Sequence, residues 1–206
     1  MPTDRFMARR RCLAGLCAAL AGLAAGCASQ QEIGSAIDDV NREFRAEYEA
    51  ILAKQGTRSY KTGREAAFDA AQSALKRLGM TVEAEDRGLG YVNVVAPAPR
   101  PLDLNEWRRA AETDLPRMRE IARKHVGLLS DFIRFEPEGL LIVINAAVVE
   151  AAAGSEISLT MRMREVAPPK SGIPRREYAP PEGVKIGLDK IWTAIDQELG
   201  VVPGKR

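Results

Sequence analysis

Residues 140–164 read LLIVINAAVVEAAAGSEISLTMRMR, and the two halves of this stretch decide the fold. In the second half Ile157, Leu159, Met161 and Met163 alternate with Ser158, Thr160, Arg162 and Arg164. That period of two belongs to a strand with one wet face. The first half, Leu140–Val149, is nearly all apolar, which predicts a central strand covered on both faces. Ala151–Ser155 turns the chain between them. A connection that short makes the two strands antiparallel.

Further strand patterns lie upstream. Leu128–Phe135 predicts another strand, turned back by Glu136-Pro137-Glu138-Gly139. Met80–Glu85 and Leu89–Ala96 predict two more, with Asp86-Arg87-Gly88 as a hairpin turn. Residues 97–101 (PAPRP) cannot lie inside a sheet, because their three prolines lack donors.

Between and around the strands the apolar period changes to that of a helix. Ile33, Ile37, Val40, Phe44, Tyr48 and Ile51 form one stripe over residues 33–54. Such a helix either packs on its own domain or offers its stripe to a partner. A second helix spans 64–78, with Phe68, Ala71, Leu75 and Leu78 on one face and Gly79 placed to end it. Asp103 and Glu106 form a capping box that opens a third, carrying Trp107, Ala110 and Ala111. Pro116 predicts a break at Thr113–Asp114 and a fresh helix from Leu115 to His125, because an interior proline costs about 3 kcal/mol. Val184, Leu188, Ile191, Trp192, Ile195 and Leu199 make the stripe of a last helix. The sum is an α+β domain. It has an antiparallel sheet of about five strands and helices mainly on one face, preceded by an N-terminal amphipathic helix. Residues 167–183 hold five prolines and predict a long loop, either binding or mobile.

The N-terminus reads as an address. Arg5, Arg9, Arg10 and Arg11 precede the uncharged run 12–26 (CLAGLCAALAGLAAG). Fifteen residues are short of the roughly 20 that span a bilayer and suit an export signal. Leu23-Ala24-Ala25-Gly26-Cys27 resembles the lipobox of bacterial lipoproteins, in which the cysteine is lipidated and becomes the first mature residue. Ala24 stands where leucine is commonest in that motif. The resemblance implies cleavage between Gly26 and Cys27 and acyl chains on Cys27. Cys12 and Cys17 leave with the signal, so Cys27 has no intrachain disulfide partner. Ala28 in place of an aspartate implies sorting to the outer membrane under the enterobacterial rule. The alternative is an ordinary secretory signal and a soluble periplasmic protein. The chain therefore divides into a lipoprotein signal peptide (1–26), a lipid-anchored tether with its amphipathic helix (27–62), the α+β domain (63–200) and a tail (201–206).

Residues 65–107 read EAAFDAAQSALKRLGMTVEAEDRGLGYVNVVAPAPRPLDLNEW. A helix ending Leu78-Gly79-Met80, then Val82, Asp86-Arg87, Gly90, Val92, Val94, Pro101-Leu102 and Glu106-Trp107, resembles the helix-grip domains of BamC. BamC is the accessory lipoprotein of the outer-membrane barrel-assembly machine. The resemblance implies a helix-grip-like fold and a setting in envelope assembly.

The residues offer little chemistry. Metal sites need grouped His, Cys, Asp or Glu, and His125 is the sole histidine. It closes a helix beside Arg123 and Lys124, where a cation offsets the helix dipole. Gly-x-Ser-x-Gly and the phosphate-binding loop are both missing from the sequence. Residues 27–206 carry a net charge of −1, which is not a nucleic-acid-binding balance. The reading is a non-enzymatic outer-membrane lipoprotein, without metal or cofactor, that meets an envelope protein through a periplasmic interaction domain. Candidate contacts are Arg162 and Arg164 on the alternating strand, and Arg119 and Arg123 on the basic helix face, which also suits anionic headgroups. The 33–54 helix and the 167–183 loop are candidate contact regions. The alternative is a module that holds a small or lipidic ligand between helix and sheet, with Met161 and Met163 as adaptable lining.

Overall fold

A computed structural model describes residues 28–169 and 174–201. The signal reading of 1–26, the cleavage at Gly26 and the lipidation of Cys27 lie outside the described residues, as do tail residues 202–206. The elements run α1 (Gln30–Gln55), β1 (Thr57–Tyr60), α2 (Arg64–Arg77), β2 (Thr81–Asp86) and β3 (Tyr91–Pro97). They continue with α3 (Leu104–Val126), a 3-10 segment (Gly127–Phe132), β4 (Leu140–Ala151), β5 (Gly154–Glu165) and α4 (Pro181–Glu198). The fold is α+β, with one antiparallel sheet of order β1-β5-β4-β3-β2.

The register explains the core. Val94, Ile144 and Met161 stand in one row across β3, β4 and β5, and Val92, Ala146 and Leu159 in the next. All six are buried on the same face. The helices pack there, bringing Phe44 from α1, Phe68 and Leu75 from α2, Trp107 and Met118 from α3, and Leu188 and Trp192 from α4. Seven side chains of this size contribute about 1.5–3 kcal/mol each as an upper bound, so the layer contact dominates stability. Helix α4 approaches the sheet closely at Gly187. A β-carbon on Gly187 would stand 2.8 Å from Met161 Sδ. Met161 and Met163 are therefore core filling.

Local signals set the helix ends. Gly79, at φ +80°, ends α2. The Met80 N–H donates to Leu75 C=O at 3.1 Å and the Gly79 N–H to Lys76 C=O at 2.9 Å, the Schellman pattern that satisfies the last carbonyls. The expected capping box at Asp103 and Glu106 opens α3, and a second one, Ser29 with Glu32, opens α1. Helix α4 begins at Pro181, three residues before its apolar stripe, and its N-cap Pro180 offers no side-chain bond. Asp114 of α3 serves instead, its Oδ2 accepting the Glu182 N–H at 2.9 Å.

Several expectations need correction. Helix α3 is continuous through Pro116, without the break at Thr113–Asp114. Trp107, Ala111, Met118 and Ala122 keep one unbroken stripe across the proline, and all four are buried. That burial outweighs the roughly 3 kcal/mol of one interior proline. Leu128–Phe135 is not a strand. Gly127 at φ +55° ends α3, and the chain continues as the 3-10 segment. Both flanks of β4 are already taken, by β3 and β5. The fifth strand is Thr57–Tyr60, which pairs with Ser155–Ser158 of β5. Strand β4 is central, but the described residues cover it on one face only: Leu141, Val143 and Asn145 are half-buried and Ala147 and Val149 exposed. The α1 stripe packs within its own domain: Ile37, Val40, Phe44, Tyr48 and Ile51 join the core. Much of the 167–183 loop is fixed. Arg176 is 3 % exposed, Ala179 is buried and the Tyr178 ring packs at a tilt on Tyr48, with centroids 5.6 Å apart.

Candidate functional site

Because α1–α4 share one face, the other face of the sheet carries no described helix. Tyr91, Asn93 and Val95 of β3 lie on it, with Val143 and Asn145 of β4 and Ser158, Thr160, Arg162 and Arg164 of β5. Its centre is a hydrogen-bonded ladder over three strands. Asn145 Oδ1 accepts from the Tyr91 hydroxyl at 2.8 Å and from Asn93 Nδ2 at 2.7 Å. Asn145 Nδ2 donates to Thr160 Oγ1 at 3.1 Å. Towards β1, the hydroxyls of Thr57 and Ser158 meet at 3.0 Å. To one side stand Val95 and Val143, paired across β3 and β4, with Arg162 opposite Val143. Arg162 and Arg164 are both exposed. The patch thus combines fixed amides, small apolar side chains and two cations.

The sheet edges are guarded. Strand β1 has four residues. Strand β2 is charged through Glu83, Glu85 and Asp86, and its pairing shifts between Val82 and Ala84. Short, charged and bulged edges resist the addition of another strand. Among the described residues the face carries no helix or strand, and β5 from Leu159 to Glu165 has no strand partner on its outer side.

Arg119 and Arg123 do not join Arg162 and Arg164. They lie on α3 and fasten the 3-10 segment to it. Arg119 Nη2 donates to Ile133 C=O at 3.2 Å. Arg123 donates to Ser130 Oγ at 3.4 Å and pairs with Asp131. His125 also sits in the last turn of α3, with Nε2 2.8 Å from Asp39 Oδ2 of α1. Arg42 pairs with the same carboxylate at 2.7 Å. The His125 hydrogen bond first, and the Arg42 bond second, hold Asp39 below the usual carboxylate range.

Three further groups escaped the sequence reading. The Tyr60 hydroxyl donates to buried Asp196 of α4 at 2.8 Å, and Arg58 Nη1 donates to the same carboxylate at 3.1 Å. Arg58 also lies over the Trp192 ring, 4.9 Å from its centroid. Desolvation first, then the Asp196 bond, pushes Tyr60 well above its ordinary pKa. Arg176 donates to Glu165 Oε2 at 3.0 Å, to Glu138 C=O at 2.9 Å and to Glu136 C=O. It ties the loop to the open ends of β4 and β5. Asp114, which caps α4, has its carboxyl pushed up to about 6, chiefly by burial. All three groups join elements distant in sequence, so spacing could not reveal them.

Among the described residues no group of three or more His, Cys, Asp or Glu could hold a metal ion. Among the same residues no helix is long and apolar enough to cross a membrane. No family model, curated protein or solved structure matches the chain.

Proposed function

We propose that the protein is a non-enzymatic lipoprotein of the outer membrane, held on its periplasmic side by acyl chains on Cys27. Its domain binds an envelope protein through the open face of the sheet, in a setting of envelope assembly. The observation that carries the reading is that face. Its amides are already held in place by the Tyr91–Asn145–Thr160 ladder, so little side-chain order remains to be lost on docking. Half-buried Val95 and Val143 beside exposed Arg162 give the apolar centre and charged border that protein interfaces use. The lipobox-like Leu23–Cys27 and the uncharged run before it support the anchor.

The test passes detergent-solubilised envelopes over the full-length lipoprotein and over its Val143→Glu and Arg162→Glu variants. The expected result is one envelope protein retained by the unaltered chain and lost with both variants, whose melting temperatures stay unchanged. Repeated runs that retain nothing, or retention indifferent to both substitutions, count against the proposal.

A further inference from the structure

Nine large apolar side chains are exposed among the described residues; three of them, Ile33, Leu129 and Phe132, line one groove, and a fourth, Leu128, adjoins Leu129 in the chain. Leu128 is 79 % exposed and Phe132 75 %. Ile33, Leu129 and Phe132 border a groove of about 240 Å³ between α1, the end of α3 and the 3-10 segment. Concentration of this kind marks a binding surface, whereas scattered apolar residues do not. The segment is held in shape by Arg119 and Arg123, so Leu128 and Phe132 are presented on a fixed turn.

The position of the groove in the chain says what it meets. Ile33 lies in the first turns of α1, and the described chain begins at Ala28. Three peptide steps and one helical turn separate Cys27 from Ile33, a reach of at most about 15 Å. Any anchor at Cys27 therefore holds this end of the domain at the bilayer. Residues 119–134 contain Arg119, Arg123, Lys124 and Arg134 against Glu120 and Asp131. On α1, Asp38 lies beside Ile33 and Asp39 pairs with His125, and Arg123 is itself paired with Asp131. Lys124 and Arg134 are thus the cations next to the exposed apolar side chains, a pairing that suits an anionic lipid surface.

We propose that the 3-10 segment Gly127–Phe132, with Ile33, is a membrane-docking tip. Leu128 and Phe132 enter the headgroup–acyl boundary, while Lys124 and Arg134 meet anionic headgroups. This rests on the tethering at Cys27 and adds an orientation to it. The tip faces the bilayer. The β2–β3 turn with Leu89, beside Val148 at the far end of β4, points away.

The test uses the full chain extracted from membranes and reconstituted into phosphatidylethanolamine–phosphatidylglycerol vesicles with brominated acyl chains. Phe132→Trp and Leu89→Trp each place a new indole at an exposed site, whereas Trp107 and Trp192 are buried. The Phe132→Trp emission should shift to the blue and lose on the order of half its added intensity, since a tip about 5–10 Å deep sits among the brominated carbons. Leu89→Trp should remain unquenched. A Leu128→Asp change added to Phe132→Trp should reverse the quenching while the protein still sediments with vesicles. Sedimentation with neither probe quenched overturns the tip and leaves the anchor standing. In that case, protection of the Phe132→Trp indole from iodide in whole envelopes would assign the groove to a protein. Failure to sediment overturns the tethering and the tip together.

Discussion

Ile144 and Asn145 are neighbours in β4 and live in different media. Ile144 is wholly buried against the helices, in a row with Val94 and Met161. Asn145 faces away from them, half-buried, and spends its amide on Tyr91, Asn93 and Thr160. The same alternation thus builds two surfaces. One is dry and held by area and close packing. The other is wet, and its order comes from hydrogen bonds that water can replace. Stability belongs to the first face, which leaves the second free to be shaped for recognition.

Substitutions on the two sides should differ sharply. The largest loss is expected at Arg176, which closes the helix side of the sheet. Its replacement by methionine removes the guanidinium from Glu165 and from two carbonyls and leaves the carboxylate only the backbone N–H groups of residues 175 and 176. Breaking one side of a buried pair costs about 3–5 kcal/mol, to be read by urea denaturation. Ile144→Ala should follow, at about 2–5 kcal/mol for a buried aliphatic truncation. Asp114→Asn acts in the opposite direction. The folded carboxyl titrates near 6, above an unfolded value of about 3.9. Ionisation therefore opposes folding at pH 7, and that opposition fades as pH falls below 6 towards 4. Asparagine keeps an oxygen to accept the Glu182 N–H, so the variant should be more stable at pH 7 by on the order of 1 kcal/mol. Its advantage should vanish near pH 4. A constant advantage across that range would assign the gain to something other than the buried charge. Asn145→Ala should cost least, at most about 1 kcal/mol, because water reaches the abandoned partners. If it costs as much as Ile144→Ala, the division between the faces is wrong.

The legible parts of the sequence were those that local patterns determine. The capping box of Asp103 and Glu106, the Gly79 stop and the alternation over 157–164 act within a few residues, and each appears in the structure. Tertiary packing decided the rest. Thr57–Tyr60 has one apolar side chain, and it becomes a strand through pairing with β5 and through Asp196, 136 residues from Tyr60. Leu128–Phe135 is rich enough in apolar residues for a strand, but both flanks of β4 are occupied. In α3 the proline rule met an unbroken apolar stripe, and the stripe prevailed. The run Leu140–Val149 is apolar on both sides, which predicts cover on both faces. Its outer residues are half-buried or exposed, on the face assigned here to a partner. Of the four arginines singled out, Arg162 and Arg164 stand on that face, while Arg119 and Arg123 fasten the 3-10 segment to α3.

The proposed anchor, tip and open face form one account, in which Cys27 would bring the domain to the bilayer, the tip would set its angle and the sheet face would meet the partner. Its central claim is the anchor. The most direct measurement is the intact mass of the protein extracted from membranes, beside a Cys27→Ser variant. The account predicts a mass lacking residues 1–26 and carrying acyl chains, with both changes abolished by the substitution. An unmodified mass shared by the two proteins would contradict it.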